Sequence, residues 1–237
     1  MPPKSRARRT LQATRFRRRL LRWFRRHGRD LPWRQTRDPY HIVVSEFMLQ
    51  QTQVSRVEGH YRRFLERYPS IQSLAAAPAA MVRESWEGLG YYRRAANLHR
   101  LAQAVVAEHG GVVPDEPAAL LRLPGVGRYT AGAVACFAYE KATPAVDTNV
   151  ARVIRRSFHP RLHGAAATRR VWETAALMVP RAGKRAWEFN QAIMELGALV
   201  CTARVARCGE CPVRTACRTG GRMGGARGGP APSLRSG

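Results

Sequence analysis

The residue types in this chain that could do chemistry are two carboxyl groups and a group of cysteines. Asp147 lies in VDTNV, just ahead of a helical pattern, in the place of a helix N-cap. A carboxylate at a helix N-terminus is favoured in its ionised form, so Asp147 is expected to be an anion. Glu46 lies in HIVVSEFMLQQTQVSRV, three or four residues from Ile42, Val43 and Leu49, so it borders an apolar face. A carboxyl held there has a raised pKa and can donate a proton near neutral pH. From periodicity alone an ordinary exposed helix glutamate is the better reading of Glu46, and a plain N-cap is a sufficient reading of Asp147. Together, two carboxyl groups with opposed environments are what cleavage of a glycosidic bond requires.

Cys201, Cys208, Cys211 and Cys217 follow the spacing C-x6-C-x2-C-x5-C near the C-terminal end. Four thiolates in one short loop can enclose a metal centre. Zinc ribbons usually carry two C-x2-C knuckles, and only one such pair occurs here. Cys211-Pro212 is shared with iron–sulfur ligand runs, so the spacing favours an iron–sulfur centre over zinc, with no metal as the remaining alternative. The fifth cysteine, Cys136, falls within an apolar helical segment. This usage implies a reducing compartment rather than a secreted disulfide framework.

The elements that must place these groups read as helices throughout. Leu123-Pro124-Gly125-Val126-Gly127 is a tight turn feeding a helix, and its glycines allow close backbone approach to a phosphate. DNA-backbone binding is favoured there over a plain interhelical turn. A helix capped by Asp38, with Pro39 at its first position, runs along residues 41–57. Its Gln50-Gln51-Thr52-Gln53 run is either a polar surface patch or a source of amides for base edges. GLGYYRR at Gly88 is a loop able to stack on bases and hold phosphates, or else a helix start with core tyrosines. Residues 61–80 read as a helix and a proline-punctuated connection. Phe16, Leu20, Leu21 and Phe24 form an apolar stripe on an arginine-rich helix from Leu11, ended by Gly28.

The chain has 237 residues and a formal net charge of +25, which predicts a polyanionic partner. No apolar run approaches a membrane span of roughly 18 residues, and no secretory signal is expected.

These motifs resemble the helix-hairpin-helix DNA glycosylases with a C-terminal 4Fe-4S loop, and among them the adenine DNA glycosylases of the MutY type. The matching stretches are LPWR at Leu31, SEFMLQQTQV at Ser45, GLGYYRRAANLH at Gly88, LPGVGRYTAG at Leu123, VDTNVARV at Val146, FNQAIMELGALVC at Phe189, and the cysteine loop. They cover nearly all of residues 31–217. The resemblance implies an all-α fold of two helical lobes with a DNA-binding cleft, a double-stranded DNA partner carrying a mismatch or an oxidised base, and one 4Fe-4S cluster on the four cysteines. It implies that Glu46 is the general acid that protonates a flipped adenine and later assists water. Asp147 stabilises the sugar oxocarbenium ion. Asn149 supports the site, Trp33, Arg34 and Gln191 line the base pocket, Gln51 and Tyr91 enter the duplex, and Leu123, Pro124, Gly125, Val126 and Gly127 bind phosphate. Tyr129 stands where bifunctional relatives carry a Schiff-base lysine, so little or no lyase activity is expected. Some thymine glycosylases acting on T:G mispairs also have tyrosine there, which keeps that reaction as an alternative. A non-catalytic mismatch-binding protein is another.

The expected organisation is a disordered basic segment over 1–10, a helix over 11–30 packing with the C-terminal lobe, a helical domain over 31–139, a cluster-bearing lobe over 140–217 and a disordered glycine-rich tail over 218–237. The sequence runs only a short way past the cysteines, so the separate C-terminal domain that many family members use to recognise 8-oxoguanine is expected to be absent. Weak discrimination between A:8-oxoguanine and A:G is therefore expected. A monomer in a bacterial cytoplasm, at the nucleoid, completes these expectations.

Overall fold

The computed structural model describes residues 3–221. The glycine-rich tail expectation for 222–237 lies outside the described residues, as do residues 1 and 2 of the expected N-terminal segment. The helices are α1 (Pro3–His27), α2 (Pro39–Leu49), α3 (Val54–Arg67), α4 (Ile71–Ala76), α5 (Ala79–Glu84), α6 (Arg93–His109), α7 (Pro117–Leu120), α8 (Arg128–Phe137), α9 (Thr148–Phe158), α10 (Gly164–Met178) and α11 (Gly183–Leu199). Among the described residues the only β-type pairing is an isolated bridge between Cys201 and Ala206. No helix among them is long and apolar enough to cross a membrane.

The chain forms two compact units, one of residues 30–141 and the other of the described residues before Asp30 and after Lys141. In the first, α2 is packed by α3, α6 and α8. Ile42, Val43, Val44, Phe47 and Met48 are all buried, so α2 is a core helix surrounded by neighbours rather than a surface helix with one apolar stripe. Asp38 caps it by accepting from the His41 N–H at 3.0 Å. The helix stops at Leu49 and does not run to residue 57. Gln51 takes a left-handed backbone (φ 56°), and α3 begins afresh at Val54. The proline-punctuated connection contains a further helix, α4. It is capped by Ser70, whose side chain exchanges hydrogen bonds with Ser73, each accepting from the other's backbone N–H.

In the second unit, α1 lies along α11. Phe16 and Leu20 are fully buried, and Phe16 meets Phe158 with ring centroids 5.3 Å apart. Gln12 donates to the Ser157 and Ala216 carbonyls at 3.1 and 2.8 Å, tying α1 to α9 and to the segment ahead of Cys217. Arg29 reaches the buried Glu195 of α11 through three donors, the shortest at 2.7 Å, so that the buried acid is paired. Helix α1 begins at Pro3, ahead of the expected start at Leu11. Arginine and alanine favour helix even without an apolar stripe, which accounts for the extension. Residues 218–221 are ordered as well: the Arg218 N–H donates to the Ser157 carbonyl at 3.0 Å, and the Thr219 hydroxyl donates to the Arg156 carbonyl at 2.6 Å.

Candidate active site and thiol cavity

The unit of residues 30–141 carries Glu46 in the middle of α2, where it is 4% exposed. The exposed-glutamate reading therefore does not hold. From Ile42 to Met48 its helical neighbours are apolar except Ser45, whose hydroxyl donates to the Ile42 carbonyl at 2.8 Å. Gln51 and Tyr91 are both exposed, and Tyr91 and Tyr92 project rather than pack in the core. Trp33, on the short 3-10 turn Pro32–Arg34, is buried with its ring against Tyr61 at 5.5 Å, edge to face. Arg34 beside it is partly exposed.

The hairpin turn lies between α7 and α8. Leu123 and Val126 are buried and anchor it, whereas Gly125 and Gly127 are exposed. Gly125 has φ +76°, and a Cβ there would come within 2.7 Å of the Asn97 Cβ and 2.9 Å of the Phe47 ring, so only glycine fits without strain. Gly127 is the N-cap of α8 and no side chain caps that end. Tyr129 is on the first turn of α8, partly buried.

The other unit carries Asp147 at the N-cap of α9. Its carboxylate accepts from the Val150 N–H at 2.7 Å and from the Asn149 side-chain amide at 2.9 Å. The segment leading to it is clamped by the buried Asn190 of α11, which accepts from the Ala145 N–H at 3.1 Å and donates to the Thr143 carbonyl at 2.9 Å. Burial pushes the Asp147 pKa above the ordinary carboxylate range. The Val150 N–H, the Asn149 amide and the Arg152 guanidinium oppose that shift without cancelling it. The expected anion-favouring environment is thus corrected, because loss of water around the carboxylate outweighs the cap. Gln191, adjacent to Asn190, is 5% exposed.

Asn149 is itself held by Arg152, whose guanidinium donates to the Asn149 side-chain oxygen at 2.7 Å, to the Gly197 carbonyl at 2.8 Å and to the Cys201 carbonyl at 2.8 Å. Gly197 is needed for this approach, since a Cβ there would sit 2.7 Å from the Asn149 Cβ. A continuous run of hydrogen bonds therefore joins Asp147 to the first of the four cysteines. Neither Arg152 nor Asn190 was distinguishable in the sequence from other helix arginines and asparagines. Only their partners, about 45 residues away, reveal the roles.

Cys201, Cys208, Cys211 and Cys217 line one cavity of about 620 Å³ in this unit. Burial first, and then the neighbouring thiols, push Cys211 up to about 11. Cys208 is raised for the same reasons. Arg156 donates to the Cys201 sulfur at 3.4 Å and the Gly220 N–H to the Cys217 sulfur at 3.3 Å. Among the described residues no three His, Cys, Asp or Glu side chains are arranged to hold a single metal ion. The donor set nevertheless fits an iron–sulfur cluster, which takes four thiolates around a body larger than one ion. N–H donors aimed at two of the sulfurs suit thiolates that ligate a cationic centre.

Residues 44–174 match the HhH-GPD superfamily base excision DNA repair proteins, and the chain belongs to that superfamily. More particularly, it is 50% identical over 195 residues to an adenine DNA glycosylase of Mycolicibacterium smegmatis, covering 82% of this chain and 66% of that one. It is 45% identical over 228 residues to an adenine DNA glycosylase of Rattus norvegicus, covering 90% of this chain and 43% of that one. The chain thus spans less than two thirds of the length of these relatives. The solved structure of a thermostable thymine-DNA glycosylase is also similar, with a TM-score of 0.82 and 32% identity over 89% of this chain and 97% of that one.

Proposed function

We propose that the protein is a DNA glycosylase that hydrolyses the N-glycosidic bond of adenine mispaired with 8-oxoguanine or guanine. The observation that carries this reading is a carboxyl group, Glu46, buried in a core helix whose residues from Ile42 to Met48 are otherwise apolar except for Ser45. An adenine inside a duplex is out of reach, so it must be extruded and the gap supported. Glu46 protonates the extruded base and makes it a better leaving group. Asp147, held by Asn149 and Val150, faces the sugar as positive charge develops there. Water completes the hydrolysis. With tyrosine at 129 there is no amine for a Schiff base, so the product is an intact strand with an abasic site.

Trp33, Arg34 and Gln191 receive the base, Gln51 and Tyr91 support the opened stack, and Leu123 to Gly127 grip phosphate. Double-stranded DNA carrying the mispair is the partner of these residues. Cys201, Cys208, Cys211 and Cys217 would hold one 4Fe-4S cluster, which supplies a structural core for the loop around it. A monomer acting on double-stranded DNA in a bacterial cytoplasm fits this reading.

A second reading is favoured by Tyr129 and by the similarity to a thymine-DNA glycosylase: release of thymine opposite guanine. The higher identity to adenine glycosylases ranks it second. The test is base release from duplexes carrying A opposite 8-oxoguanine, A opposite G and T opposite G, with free adenine resolved from free thymine. Adenine release is expected. Thymine release alone would replace the first reading by the second, and tight mismatch binding without any release would indicate a non-catalytic binding protein.

A further inference from the structure

Arg94 looks in sequence like one more basic residue of a phosphate-binding loop, but it is buried at the start of α6. Its guanidinium donates to five backbone carbonyls: Phe47 at 3.2 Å, Met48 at 2.7 Å, Gln50, Leu89 at 3.1 Å and Gly90 at 3.0 Å. Three of these belong to the end of α2 and two to the loop before α6. One side chain therefore pins two segments about 40 residues apart in sequence. The rings of Trp86 and Tyr91 lie 5.6 and 5.5 Å from the guanidinium carbon and complete its surroundings.

The residue after each pinned segment has an unusual backbone. Gln51 follows Gln50 with φ 56°, and Tyr91 follows Gly90 with φ 47°. Among the described residues the one other non-glycine with positive φ is Glu140. A left-handed backbone disfavours both glutamine and tyrosine, and it persists where surrounding contacts over-determine it. Both side chains are exposed, Tyr91 by 64%. Two strained, projecting residues anchored by one buried cation describe a preformed pair rather than two independent loop tips.

We propose that Arg94 is a positioning residue that holds Gln51 and Tyr91 as a single rigid wedge, so that duplex DNA meets side chains already in place. This rests on the reading above that these two residues enter the duplex. Loops that must order on binding give up part of their interaction free energy, and a pre-set wedge avoids that loss. Lysine cannot replace the arginine, because a single ammonium lacks the planar fork that reaches both sets of carbonyls.

Two measurements test the proposal. In the native protein, backbone 15N order parameters at Gln51 and Tyr91 should be about 0.85, as in the helices, and values below about 0.6 would overturn the rigid pair. This result needs no variant and does not depend on glycosylase activity. In Arg94→Lys, single-turnover adenine release from an A:G duplex should fall about 10- to 100-fold, in keeping with a misplacement near 1 Å. The same variant should lose much less on adenine opposite an abasic analogue, where the stack is already open. An equal loss on both duplexes would mark Arg94 as merely structural, and no loss on either would remove it from the mechanism. If the native protein releases no base from any duplex, the glycosylase reading fails while the order parameters still decide whether the wedge is rigid.

Discussion

Asp147 is where two local effects of opposite sign meet. The N-cap position, the Asn149 amide and the nearby Arg152 stabilise the carboxylate, but burial destabilises it more. The folded protein therefore binds a proton at Asp147 more tightly than the unfolded chain does. Stability linked to this group is fully present below the unfolded carboxyl pKa of about 3.9 and is lost as pH rises through the raised folded value. Relative to Asp147→Asn, the native protein should lose unfolding free energy across that window and differ by a constant above it. Denaturant titrations of both proteins over a pH series would show this, and a native curve that gains on the variant with rising pH would reverse the assignment. A carboxylate kept at a cost to stability beside a helix start is consistent with a functional site. The cap at Asp147 was legible in sequence because aspartate before a helix has one dominant local use. The net shift was not, because it depends on how much water the surrounding fold removes.

At the scale of elements, α2 shows what periodicity can and cannot tell. Its boundaries on the N-terminal side followed from Asp38 and Pro39, which act locally. Its burial did not follow from an amphipathic pattern, because α3, α6 and α8 cover it and the run from Ile42 to Met48 is almost wholly apolar. That continuity was the available sign that Glu46 lies inside. The break after Leu49 was hidden for a different reason: it is held by carbonyl contacts to Arg94, a residue in a distant helix. The hairpin turn, by contrast, was legible from Leu123 to Gly127, since glycine in the left-handed region is a local requirement. Gly125→Ala should cost about 3 kcal/mol, from backbone strain together with the clash on Asn97 and Phe47. Chemical denaturation would check it, and a loss well under 1 kcal/mol would mean that the turn relaxes without cost.

At the scale of the whole molecule, the charge of +25 sets how any DNA partner is bound. The chain holds 41 Lys and Arg against 16 Asp and Glu, so most of its cationic charge is not balanced by acids. Affinity for duplex DNA should fall linearly in log–log form with salt, by about 0.9 for each phosphate neutralised, and a flat profile would contradict backbone gripping. The helical class and the cysteine loop were readable from local patterns. The way residues before Asp30 join those after Lys141 in one unit depends on long-range contacts such as Arg29 with Glu195.

In the proposed reaction Glu46 supplies the proton for base release. The most direct test is Glu46→Gln under single-turnover conditions on an A:8-oxoguanine duplex, with DNA affinity measured on the same protein. Glutamine keeps the size and hydrogen-bonding reach of the side chain but cannot act as an acid. Adenine release should be abolished while binding is retained. Release at the native rate would remove Glu46 from the chemistry.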